Sequence, residues 1–145
     1  MRTIKSPKPI VRFNVKPNGD RYFFRVLVFK TKAEMRAWWA EYDRKFLGCG
    51  YDGSLFGARM IPYEIVRGEE RHSDIGTIIF SKEQLGAGTL VHEMGHASIW
   101  YDRLIHGNTK AEYGEQIGEA EERMLYLLAD LTAQSTDKLY KYKVY

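Results

Sequence analysis

The stretch Thr89–Tyr101 constrains this chain more than any other. It reads Thr-Leu-Val-His-Glu-Met-Gly-His-Ala-Ser-Ile-Trp-Tyr, with Leu90, Val91, Met94, Ala97, Ile99 and Trp100 at helical spacing. A helix this apolar has to pack against another layer. It also carries His92 and His96, four residues apart and so on one face, one turn from each other. Two imidazoles in a largely buried helix need partners, which are either satisfied hydrogen bonds in a core or a shared ion.

The layer that receives this helix is predicted from the segments upstream. Val11–Val15 alternates weakly, and Tyr22–Phe29 is aromatic and β-branched, hence a strand. Between them Lys16-Pro17-Asn18-Gly19-Asp20 is a turn, because Asn-Gly supplies the positive φ of a tight hairpin. Thr31-Lys32-Ala33-Glu34 reads as a capping box that opens a helix. Met35, Trp38, Trp39, Tyr42 and Phe46 give that helix an apolar face, and it stops before the glycine-rich loop 47–57, which holds Cys49. Arg59–Val66 is a third strand, with Pro62 marking it as an edge or a bulge. Ile75–Phe80 is a short strand, and Ser81-Lys82-Glu83-Gln84 is a second capping-box pattern. A last helix runs from about Ala111 or Glu115 to Ala133, and the alternating tail from Lys138 to Tyr145 suits a strand or an aromatic strap. The fold class expected is α+β: a small antiparallel or mixed sheet, the histidine-bearing helix and a following helix, in one domain over 1–145.

A chain of 145 residues that is 44% hydrophobic can bury a core without staples, and one cysteine excludes an internal disulfide framework. No apolar run approaches the ~18–20 residues that span a bilayer, and the first residues lack a signal-like apolar region. A cytoplasmic, membrane-free protein is the expectation. The net charge of +3 is bland, but residues 1–30 carry eight bases and one acid. Such a basic arm and hairpin either contacts nucleic acid or is a solvated tail whose charges protect an edge strand.

The pattern His92-Glu93-Met94-Gly95-His96 suits zinc chemistry. Imidazole nitrogens bind zinc at ~2.0–2.1 Å, and residues i and i+4 of a helix can reach one ion. Glu93 follows the first histidine and is placed to take a proton from metal-bound water as general base. Gly95 leaves room for another backbone. A catalytic zinc takes a third protein ligand. Asp102, six residues past His96, is one candidate, but with Ile99 and no glycine between them the helix continues and Asp102 is expected to point elsewhere. His106 is a loop alternative. Residues 112–122 hold five acids and no base. With an apolar stripe of Ile117, Met124, Leu125, Leu128 and Leu131, Glu121 falls mid-stripe, where a carboxylate needs a partner, so Glu121 is the third ligand expected, ahead of Glu122 and Glu119.

Thr89–Ala97 resembles the active-site helix of zincin metallopeptidases. The strand-helix entry Gly76–Ser81 ahead of it and Glu121-Glu122-Arg123-Met124-Leu125 behind it are similar to small gluzincin-type proteins, many of them from phages and prophages. The ImmA/IrrE-type peptidases are one branch; residues 119–126, Glu-Ala-Glu-Glu-Arg-Met-Leu-Tyr, keep the acids of their second motif, Glu-x-Glu-Ala-Asn-x-Phe-Ala, and little else. The resemblance covers about residues 75–131. It implies a zincin-like fold and a zinc metallopeptidase acting on a protein or peptide, with an edge strand bordering the cleft. In that scheme His92, His96 and Glu121 are ligands, Glu93 is the base, and Tyr101, His106 or Tyr113 steadies the oxyanion. The alternatives are a catalytically silent interaction protein on the same fold and a DNA-associated protease of SprT-like kind using the basic arm.

Overall fold

The computed structural model describes residues 7–19, 21–47, 58–62, 73–106 and 117–144. The loop with Cys49, residues 63–66 of the expected third strand, the start of the last helix and Tyr113 lie outside them. Among the described residues the fold is α+β, with a mixed four-stranded sheet and three α-helices. The strands are β1 (Val11–Val15), β2 (Phe23–Phe29), β3 (Ala58–Pro62) and β4 (Asp74–Ser81). The helices are α1 (Lys32–Tyr42), α2 (Ala87–His106) and α3 (Ile117–Lys141). Among the described residues no helix is long and apolar enough to cross a membrane.

The sheet order is β1-β2-β4-β3. β1 and β2 form the antiparallel hairpin, turned at Asn18 and Gly19 with φ of 53° and 65°. β2 pairs in parallel with β4 through the crossover helix α1, and β3 adds to β4 antiparallel as the far edge. Pro62 is thus an edge residue, as its missing N–H requires. Both faces of the central pair are apolar. Phe24, Val26, Val28, Ile78 and Phe80 face a core closed by Leu90, Met94, Ala97 and Tyr101 of α2 and Leu127, Leu131 and Leu139 of α3. Leu27, Phe29, Ile61 and Ile79 face Met35 and Trp39 of α1.

Local chemistry sets the helix ends. The Thr31 hydroxyl accepts the Glu34 N–H, the expected first half of the box. Glu83 accepts from the Lys32 N–H, so the second acid of this cap comes from a later segment. Ser81 is correspondingly no cap: its hydroxyl is buried without a hydrogen-bond partner among the described residues. The last helix outruns its expected end at Ala133 and absorbs the tail as far as Lys141. It closes after Lys141 with Lys143 at φ 59°, Lys143 N–H to Tyr140 C=O and Val144 N–H to Leu139 C=O, a Schellman closure. Beyond it Tyr142 stacks over Phe13, with ring centroids 6.4 Å apart. Gln134 clasps the hairpin, accepting from Lys16 N–H at 2.9 Å and donating to Lys16 C=O at 2.8 Å.

At the start of β4 the β2 register slips between Phe23 and Phe24, which leaves Ile75 unmatched. A Cβ on the next residue, Gly76, would stand 3.0 Å from the Ile61 carbonyl oxygen and 3.0 Å from the Phe24 ring. Gly76→Ala should therefore lower unfolding free energy by about 1–3 kcal/mol, read as a lower urea midpoint at unchanged m-value.

Candidate metal centre

α2 is buried along Leu90, Met94, Ala97, Ser98 and Tyr101. His92 and His96 are exposed on its other side. Their Nε2 atoms lie 3.1 Å apart, with ring planes at 79°. At that distance one ring N–H donates to the other ring, or both lone pairs converge on one ion. Two nitrogens held at ~2.0–2.1 Å in a tetrahedral shell stand about 3.3 Å apart, so the pair fits a shared zinc.

Glu93 points inward and is 6% exposed. Its carboxylate accepts the backbone N–H of Met60, so the edge strand β3 holds it. Burial pushes the carboxyl above its ordinary range; His96, His92, the Met60 hydrogen bond and Arg59 each pull it partly back. Neither β3 residue was expected at this site: a backbone N–H such as that of Met60 carries no sequence signal, and Arg59 comes near Glu93 only through the packing of β3 against α2. Arg59 sits over the Trp39 ring, 4.9 Å from its centroid. Gly95 faces open space: apart from its own helix backbone, no heavy atom of the described residues lies within 4 Å of where its Cβ would be, so the close backbone approach expected there is not found among them.

α2 continues unbroken through Ile99, and Asp102 turns away to pair with Arg123 of α3 at 3.2 Å. Among the described residues no three His, Cys, Asp or Glu side chains gather as a metal site. The placement expected for Glu121, on the core-facing stripe beside the histidines, is corrected. Glu121 and Glu122 are both exposed, and the side chain of Glu119 lies outside the description. Two features explain this. The buried stripe of α3 runs Leu127, Leu131, Ser135 and Leu139, while Leu125 is 60% exposed, which moves Glu121 to the stripe's edge. The antiparallel register of α2 and α3 is marked by Asp102 with Arg123 and by Met94 Sδ with Ser135 Oγ at 3.5 Å. That register puts Glu121 beside the last turn of α2, about 12 Å along the axis from His96. His106 ends α2, exposed, about 15 Å from His96 by the same rise. Tyr101 is buried in the core.

Comparison with protein-family models, curated proteins and solved structures found no match. The reading of the site therefore rests on this chain's own geometry.

The raised carboxyl gives a stability test. Folded protein binds the Glu93 proton more tightly than unfolded protein does, so this group's contribution is greatest below the ordinary carboxyl range and is lost as pH rises through the folded value. In chelator-treated protein, Glu93→Gln should have a higher Tm than wild type near neutral pH. The gain should shrink toward about pH 4, where both states are protonated. A gain that is constant with pH would show that ionisation of Glu93 is not its source.

Proposed function

We propose that this chain is a zinc-dependent peptide hydrolase with a zincin-like arrangement of sheet and active-site helix. The observation that carries the reading is the convergence of His92 and His96 Nε2 at 3.1 Å beside a buried carboxylate anchored to an edge strand. His92 and His96 would hold the metal as two of its protein ligands. Zinc, when bound, supplies a Lewis acid and lowers the pKa of a water molecule toward neutrality.

The remaining work falls to the chain. Glu93 is the general base. Burial raises its proton affinity, which suits a group that must accept a proton from water and deliver it to the leaving amine. The Met60 N–H fixes that carboxylate against β3. The substrate is an extended peptide laid along the edge strand, and the open side of α2 at Gly88, Val91 and Gly95 gives its side chains room.

Protein reconstituted with zinc and desalted should carry about one equivalent per chain by elemental analysis, and His96→Ala little. Zinc-free wild-type protein after reconstitution would end the proposal. The same measurement on His106→Ala, Glu119→Ala, Glu121→Ala and Glu122→Ala identifies or eliminates each as the third ligand. Glu93→Gln should keep the metal and hydrolyse casein and a quenched fluorogenic peptide library at least ~10²-fold more slowly than wild type. Equal cleavage by the two proteins removes Glu93 as base. Zinc binding without cleavage by either favours the interaction-protein alternative.

A further inference from the structure

Among the described residues, the sheet face turned away from α2 is covered by α1 alone. α1 packs over β2 and β4. On the same side β1 presents Arg12 and Asn14, exposed, alternating with Phe13 and Val15 in the opposite core. Asn14 stands across from Arg25, and Arg12 across from Leu27. Arg25 is exposed on this face too, with Asp74 at 2.8 Å. Exposed Lys8 and Lys16 lie at the two ends of β1, and exposed Lys30 follows β2. From Lys8 to Lys16 an extended chain spans about 26 Å.

The α1 part of this side is aromatic. Phe29 and Trp38 have centroids 5.8 Å apart, and Trp38 stacks on Tyr42 at 5.2 Å. Trp38 and Tyr42 are half-buried and pack on the cluster that contains Leu27, the cross-strand partner of Arg12. Exposed cations of β1 and β2 and the indole and phenol rings of α1 thus share one side of the sheet.

We propose that this face of the sheet binds single-stranded nucleic acid. Phosphates follow Arg12, Arg25 and Lys16, and an unpaired base stacks on Trp38. Both parts are needed for such binding: cations that track the backbone, and a ring face that accepts any base. A duplex offers the cations its phosphates but keeps its base faces stacked within itself, and an acidic peptide offers no base at all. This face lies on the opposite side of the sheet from α2, so the proposal stands or falls independently of the candidate metal centre.

The full chain is titrated with fluorescein-labelled oligothymidine of ~15 nucleotides, with anisotropy for binding and intrinsic fluorescence for stacking. Trp39 is buried and Trp100 lies on the α2 side, bonded to the Ile75 carbonyl, so quenching reports Trp38. Binding should weaken steeply with salt, and Arg12→Glu should weaken it about tenfold or more while leaving the circular dichroism spectrum unchanged. Trp38→Phe should retain most of the affinity and lose the quenching. The proposal is overturned by no binding at about 50 mM salt, by an undiminished affinity in Arg12→Glu, by quenching that persists in Trp38→Phe, or by equally tight binding of a duplex or of polyglutamate.

Discussion

The central strands β2 and β4 are apolar on both faces, and the rest of the molecule answers to that. Burying a Phe, Ile or Leu side chain is worth about 1.5–3 kcal/mol, so leaving either face wet would forfeit many such contributions. A parallel pair needs a crossover connection, and α1 supplies it while covering Leu27, Phe29 and Ile79. The other face is closed by α2 and α3 together. α2 is committed to that core along one side, which leaves its opposite side to carry residues that packing does not require.

This division of labour explains the candidate centre. Leu90, Met94, Ala97 and Tyr101 hold α2 to the sheet, and the same rigid helix aligns His92 with His96. Glu93, between the two sides, is buried where the helix meets β3, and the Met60 N–H meets part of its desolvation cost. The edge position of β3 matters here, because only an edge strand has backbone donors that are not committed to a neighbouring strand. The central pair thus indirectly positions Glu93 as well as the histidine-bearing helix.

Several local features were legible in the residues. The Asn18-Gly19 turn, the Thr31 cap, the strands Val11–Val15 and Phe23–Phe29 and the histidine helix all depend on interactions that span a few residues. The i, i+4 spacing of His92 and His96 is of the same kind, since a helix alone places two side chains one turn apart. The Ser81 pattern shows the limit: it resembles a cap, but the hydroxyl is buried, and its acid Glu83 serves α1 instead.

What the residues alone determined about this protein was therefore its alternation of elements, its turns and a pair of imidazoles able to share an ion. The tertiary structure decided the sheet order, the phase of α3 and the partners of Glu93. The phase of α3 is the clearest case. Leu125 and Leu127 are equally apolar, and only docking against the sheet and α2 selects Leu127 for the core, turning Glu121 to the edge of the stripe. Helical periodicity repeats every turn whichever face is buried, so it defines a stripe without saying which neighbour the stripe will meet. That choice is made by side chains far apart in the chain, such as Met94 with Ser135 and Asp102 with Arg123, whose contact exists only once the layers have assembled.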